Sequence, residues 1–290
     1  MAVERVTVAE IAAASRRLRG VVTETPLQRN DRLSERSGAD VWLKREDLQP
    51  VRSYKIRGAY NLISQLTEAE RMAGVICASA GNHGQGVAYA CARLGINGSI
   101  YLPATTPRQK RDRMRRLGGE FIRLVITGDT YDEAAQAAYA QAWESGATMV
   151  PAFDDPRTIA GQGTLAPEIV DQLGHAPHVL IVPVGGGGMV AGCLVWFAKR
   201  HRTTRIIAAE PSGAACLAAG IAAGEPVNLE QIDTFVDGAA VRRAGDLPVA
   251  IALAHPPELI TVPEGQICTE MLELYQTDGI IAEPAGALAP

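Results

Sequence analysis

Residues 75–86 read VICASAGNHGQG. Val75–Ala78 is a short apolar run of the kind carried by a strand buried on both faces. Ser79 to Gly81 are small and break that run. The residues from Gly86 to Leu94 read as a helix, with Gly95 as its stop. The stretch is therefore a strand, a glycine loop and a helix. The same order returns at residues 179–189, VLIVPVGGGGM, where the apolar strand Val179–Val184 runs into four glycines and a helix to about Lys199. Strands that feed helices through short glycine loops argue for an α/β fold with largely parallel sheets.

The pattern holds outward from these two junctions. Thr7 with Glu10, Thr67 with Glu70 and Thr130 with Glu133 have capping-box spacing, and each opens a helical segment. The first segment runs to Leu18, and the third is Ala-rich and ends at Gly146. Further helices read from near Tyr54, after Thr106-Pro107, and over Thr158–Leu173, Ser212–Ala223 and Glu264–Thr277. Further strands read over Val41–Lys44, Ser99–Leu102, Phe121–Ile126, Ile206–Ala209, Leu259–Val262 and Ile280–Ala282. Gly224–Pro257 is the least regular part.

Composition removes several function classes. The chain has 290 residues, 47% hydrophobic and 21% charged, with a formal net charge of −4. That is globular composition without the basic surplus of a nucleic-acid binder. Arg108–Arg116 is the one basic run, and it reads as a solvated helix face. No apolar run is long enough to span a membrane, and the N-terminus lacks a signal peptide's apolar core, so a cytoplasmic protein is expected. Cys77, Cys91, Cys193, Cys216 and Cys268 are widely spaced and read as buried free thiols rather than as a disulfide or zinc framework. No metal site is expected. Only four of the 28 basic residues are lysine: Lys44, Lys55, Lys110 and Lys199.

Three motifs carry chemistry. Ser53-Tyr54-Lys55-Ile56-Arg57-Gly58-Ala59 puts Lys55 where a loop enters a helix. The positive end of a helix dipole disfavours an ammonium, and the neutral amine is the form that attacks a carbonyl. The plain alternative is a surface lysine in a first helical turn. Ser79 to Gly86 offer small residues and backbone N–H groups to an anion such as a carboxylate, and Asn82 offers a side-chain hydrogen bond. The plain alternative is a strand-to-helix turn, with His83 structural. Gly185 to Gly188 permit close backbone approach ahead of a helix, which is a phosphate cradle. The loop is neither a Walker A motif nor a complete dinucleotide fingerprint, although Glu210 near the right offset keeps a dinucleotide reading open.

In this order the three motifs resemble the fold-type II pyridoxal-phosphate enzymes, and in particular their threonine dehydratase branch. The resemblance runs from Thr25-Pro26-Leu27 to Glu283-Pro284-Ala285-Gly286-Ala287. Gly161-Gln162-Gly163-Thr164, Ala209-Glu210-Pro211 and Asp237-Gly238-Ala239-Ala240-Val241 are supporting matches. It implies a two-domain, tryptophan synthase β-like α/β fold. Residues 1–49 and 147–290 would form a large domain, and 50–146 a small inserted one. It implies pyridoxal 5'-phosphate held by Lys55 as a Schiff base, by Asn82 at the ring hydroxyl, and by Gly185, Gly186, Gly187, Gly188 and Met189 at the phosphate. Ser79, Ala80, Gly81, Asn82 and His83 would hold the substrate carboxylate. The implied activity is deamination of L-threonine and L-serine by α,β-elimination to a 2-oxo acid and ammonia, in isoleucine biosynthesis, by a homodimer or homotetramer. Serine racemases share the pattern but carry a second serine where this chain has Ala80, so elimination is favoured over racemisation. β-Replacement and a non-catalytic relative are the other readings. Family members continue with a helix, a strand and a Ser or Cys that faces the pyridine nitrogen. The sequence ends at Pro290, so that partner is either beyond it or missing.

Overall fold

The computed structural model describes residues 6–290; residues 1–5 of the expected large domain lie outside the described part. Its strands are β1 (Leu27–Arg29), β2 (Trp42–Lys44), β3 (Val75–Ala78), β4 (Gly98–Leu102), β5 (Ile122–Ile126), β6 (Thr148–Met149), β7 (Val179–Pro183), β8 (Arg205–Pro211) and β9 (Glu258–Val262). Its helices are α1 (Val8–Leu18), α2 (Asp31–Ser37), α3 (Lys55–Ile63), α4 (Glu68–Ala73), α5 (Asn82–Leu94), α6 (Arg108–Gly118), α7 (Tyr131–Ser145), α8 (Pro156–Gln162), α9 (Leu165–Leu173), α10 (Gly188–Arg200), α11 (Cys216–Ala223), α12 (Asp246–Ala254) and α13 (Glu264–Gln276). The chain divides into two compact units.

One unit holds Ala13–Thr23 and Leu48–Gln162. Its parallel sheet has the order β5-β4-β3-β6, with Val75 opposite Gly98 and Gly98 opposite Ile122. Successive strand residues face opposite ways, so both faces of β3 must be covered. Val75 and Cys77 pack with Leu62, Val87, Cys91, Ile100 and Met114. Ile76 and Ala78 pack with Tyr101, Ala138 and Ala142. That double cover is why β3 is apolar at every position. Helices α3 and α8 cross closely. A Cβ on Gly161 would come within 2.4 Å of the Arg57 carbonyl oxygen, and one on Gly58 within 2.9 Å of Thr158. Helix α6 buries only Met114 and Gly118, so its basic run is a largely solvated face.

The other unit holds, of the described residues, 6–12, Glu24–Asp47 and Gly163–Pro290. It contains the parallel sheet β7-β8-β9 and the antiparallel pair β1-β2. Ala209, Val236, Ala239, Ile267, Leu274 and Ile280 form a core cluster.

Several local expectations are corrected. The helix expected over Thr158–Leu173 is two helices, α8 and α9, parted at Gly163-Thr164. Gly163 is there because a Cβ would sit 3.0 Å from the Gly192 Cα of α10. Ile280–Ala282 is not a strand: the Ile280 amide bonds the Leu274 carbonyl, closing the end of α13, and among the described residues no strand pairs with the segment. Strand β7 is apolar without being fully buried, since Val179 and Ile181 stay about 40% exposed. The irregular Gly224–Pro257 contains α12. Four cysteines are buried free thiols, but Cys268 is exposed. Strand β2 lies within the expected Val41–Lys44, whereas β1 and helix α2 carry too few residues for a periodic signal. Asn30 caps α2 by accepting the Leu33 amide.

Candidate active site

Lys55 is the first residue of α3, preceded by Tyr54 as its N-cap residue. The chain enters through Arg52, whose φ of 63° is left-handed and unusual for a non-glycine residue. The Lys55 Nζ donates to the Ala152 carbonyl at 3.2 Å and lies 5.1 Å from the centroid of the Tyr54 ring. Lys44 differs: its Nζ is held by Glu168, Gln172 and the Thr25 carbonyl. Its amine is committed to an ion pair, whereas that of Lys55 rests on a neutral carbonyl.

The second cluster lies in the same unit, where β3 meets α5. The helix starts at Asn82, four residues earlier than its composition suggests. The Ser79 hydroxyl oxygen accepts the amides of Gly81 and Gly84, at 3.2 and 2.9 Å, and so satisfies the entry to α5. His83 is buried, and its Nε2 lies 2.7 Å from the Val150 carbonyl. A carbonyl only accepts, so Nε2 carries the proton and Nδ1 is a bare acceptor. That Nδ1 is buried and has no partner among the described residues. Burial, and then the charge of Lys55, push the imidazole down to about 4, so the ring is neutral at physiological pH.

The third cluster belongs to the other unit, where β7 meets α10. Gly187 caps α10 with φ +91°, and a Cβ there would meet Pro248 at 2.7 Å. A Cβ on Gly185 would meet the Ala239 backbone at 2.9 Å. The first amide to bond back into the helix is that of Ala191, which donates to Gly187. The amides from Gly186 to Met189 find no acceptor among the described residues. Its N-cap residue, a glycine, has no side chain with which to cap it. A 13-residue helix with bare N-terminal amides in a glycine loop offers the positive end of its dipole, a chemistry that suits an anion of phosphate type.

In the sequence Glu210 stands both as a dinucleotide alternative and within the supporting match Ala209-Glu210-Pro211. Glu210 is fully buried on β8 and accepts the amides of Leu217 and Ala218 at 2.7 and 2.8 Å. It caps α11, and the first residue of that helix, Cys216, directs its thiol to the Gly185 carbonyl at 3.4 Å. Burial outweighs these hydrogen bonds and raises the carboxyl to about 7. A carboxylate turned inward to cap a helix is not placed to take a ribose hydroxyl. Among the described residues no group of three or more His, Cys, Asp or Glu side chains is placed to hold a metal ion.

The protein family described as pyridoxal-phosphate dependent enzyme matches residues 18–290. The chain belongs to that family. It is 58% identical over 284 residues to the biosynthetic L-threonine dehydratase IlvA of Mycobacterium bovis, covering 97% of this chain and 66% of that protein. The chain thus spans about two thirds of the length of the curated relative it matches. The processed threonine deaminase isoform 2 of Solanum lycopersicum has the same fold, with a TM-score of 0.92 and 40% identity over 97% of this chain and 80% of that one. So does maize serine racemase, with a TM-score of 0.92 and 29% identity over 98% and 84%. The family's cofactor needs a phosphate holder and an amine. The bare amides from Gly186 to Met189 and the left-handed backbone of Gly187 fit the first. The carbonyl-tethered amine of Lys55 fits the second.

Proposed function

We propose that this chain carries a threonine dehydratase (threonine ammonia-lyase) activity. It removes water from L-threonine, and from L-serine, by α,β-elimination, and water then hydrolyses the released enamine to a 2-oxo acid and ammonia. In this reading Lys55 anchors pyridoxal phosphate and, once released from it, takes the substrate's α-proton. Gly185, Gly186, Gly187, Gly188 and Met189 hold the phosphate with their amides, and Asn82 meets the ring hydroxyl. The loop from Ser79 to His83 receives the substrate carboxylate. The bound cofactor supplies an electron sink for the charge left at the α-carbon. The observation that carries the reading is the Lys55 amine, at the head of α3 and resting on a neutral carbonyl, in a chain 58% identical to a threonine dehydratase.

Racemisation is the second reading, favoured by the likeness to maize serine racemase. Two features of this chain oppose it. Ala80 has no proton to give, and the oxygen of the neighbouring Ser79 is engaged by two loop amides. L-Threonine and L-serine should yield 2-oxo acid far faster than residual substrate loses chirality, as read by a keto-acid assay beside chiral chromatography. Equal rates would sink the dehydratase reading. Ala80→Ser should raise racemisation while some elimination remains. The reading also places the enzyme in isoleucine biosynthesis, in the cytoplasm, as a homodimer or homotetramer. Among the described residues no helix is long and apolar enough to cross a membrane. A sedimentation measurement that finds only monomer would remove the oligomer.

A further inference from the structure

Three consecutive carbonyls follow β6, and each is held by a side chain from elsewhere in the same unit. Val150 O receives His83 of α5, at 2.7 Å. Pro151 O receives the Thr158 hydroxyl of α8, at 3.1 Å. Ala152 O receives two donors, the Lys55 amine at 3.2 Å and the Gln162 side-chain amide at 2.9 Å. Gln162 is fully buried, and its Oε1 has no partner among the described residues. Its orientation is fixed by chemistry: turning the amide over would set oxygen against the carbonyl oxygen of Ala152. A buried glutamine that leaves one atom unpartnered is costly for mere filling, since an unmade buried hydrogen bond costs about 1–3 kcal/mol. Packing leaves no slack around it. The Cβ position of Gly58, in the second turn of α3, lies 3.0 Å from the Gln162 Cγ and Nε2.

We propose that Gln162 is a positioning residue for the Lys55 amine, acting through the Ala152 carbonyl that the two side chains share. Thr158 and His83 hold the two preceding carbonyls and so keep the segment from turning away. The unpartnered Oε1 of Gln162 is a spare acceptor beside the same carbonyl, open to an N–H that leaves it. The inference rests on Lys55 being the acting amine. It adds two side chains, Thr158 and Gln162, that no motif logic assigns to the lysine.

The test is made on the full chain freed of cofactor. Pyridoxal phosphate is added, its capture is followed by absorbance, and the linkage is fixed with borohydride and mapped by mass spectrometry. 4-Deoxypyridoxine phosphate, which lacks the aldehyde, reports non-covalent binding separately. Gln162→Met keeps bulk and removes the donor. Capture by Lys55 should slow about tenfold, the worth of roughly one hydrogen bond, while affinity for the deoxy analogue stays within about twofold. Gln162→Glu, which faces a carboxylate with a carbonyl, should slow capture at least as much. Unchanged capture in Gln162→Met overturns the proposal. So does an equal loss of capture and analogue affinity, which would mark a structural role only. If the Gln162 variants do not fold, Thr158→Val releases the neighbouring carbonyl and must show the same split; unchanged capture there overturns the proposal as well. Fixation of the wild-type cofactor on Lys44, Lys110 or Lys199 would remove the function reading and this inference together. Fixation on Lys55 with unaltered rates would remove the inference alone.

Discussion

The two strand-to-helix junctions look alike in sequence and differ in what they leave unsatisfied. At β3–α5 the loop closes on itself: the Ser79 oxygen takes two loop amides, and His83 is tied to Val150. At β7–α10 only carbonyls of the loop are taken, that of Gly185 by the Cys216 thiol and that of Gly186 by the Gly245 amide, and among the described residues four amides stay bare at the head of a 13-residue helix. The first junction presents side chains of set orientation, the second presents backbone charge. A glycine loop lined by side chains suits selection among small polar groups, and a naked one suits a dianion whose charge matters more than its shape.

The sharpest way to break this contrast is at the lysine. Lys55→Ala should abolish the cofactor's protein-linked absorbance and all turnover while the far-ultraviolet circular dichroism stays native. A helix-entry lysine resting on one carbonyl contributes little packing. Turnover surviving in that variant would move the chemistry elsewhere. Next in size, Gly187→Val adds a side chain at φ +91° into Pro248, which forces the loop that carries the bare amides out of place. Cofactor affinity, measured by titration, should fall by orders of magnitude, and unchanged affinity would show that the naked junction holds no phosphate.

The junctions should also respond oppositely to pH. His83 at the first is pushed down to about 4 from its usual 6.5, so the stability it contributes is present above pH 6.5 and is lost as pH falls toward 4. Glu210 underlies the second and is raised from 4.5 to about 7. Its contribution is fullest below pH 4.5 and is lost as pH rises toward 7. Urea unfolding of His83→Gln and Glu210→Gln beside the wild type, across pH 4–8, should give difference slopes of opposite sign; slopes of one sign refute the assignment. The smallest effect is expected from Ser79→Ala. Loss of a capping oxygen costs about 1 kcal/mol, a shift in thermal midpoint that calorimetry resolves. No shift would mean that the first junction is as open as the second.

Much of this molecule is legible without coordinates, and the reason is range. Capping boxes act over three residues, and those at Thr67–Glu70 and Thr130–Glu133 form with both of their reciprocal bonds. Strands buried on both faces show as apolar runs. Glycine loops before helices show as glycines. The same locality explains the failures. Residues 158–173 look like one helix because nothing nearby breaks the periodicity; the break at Gly163 answers to the backbone of Gly192, 29 residues on. Ile280–Ala282 looks like a strand because β-branched residues suit one, but a strand exists only through a partner, and α13 takes the first amide instead.

The site divides along the same line. Sequence alone determined which lysine heads a helix, which loop is naked backbone, and that the chain resembles fold-type II pyridoxal-phosphate enzymes, because residue type and spacing carry those facts. Only the tertiary structure decided the state of each group. Lys44 is locked to Glu168 while the Lys55 amine rests on Ala152, 97 residues away. His83 is neutral because it is buried, and Glu210 serves a helix rather than a ligand. Solvation and hydrogen-bond partnership are set by groups distant in the chain, and those neighbours exist only once the chain has folded.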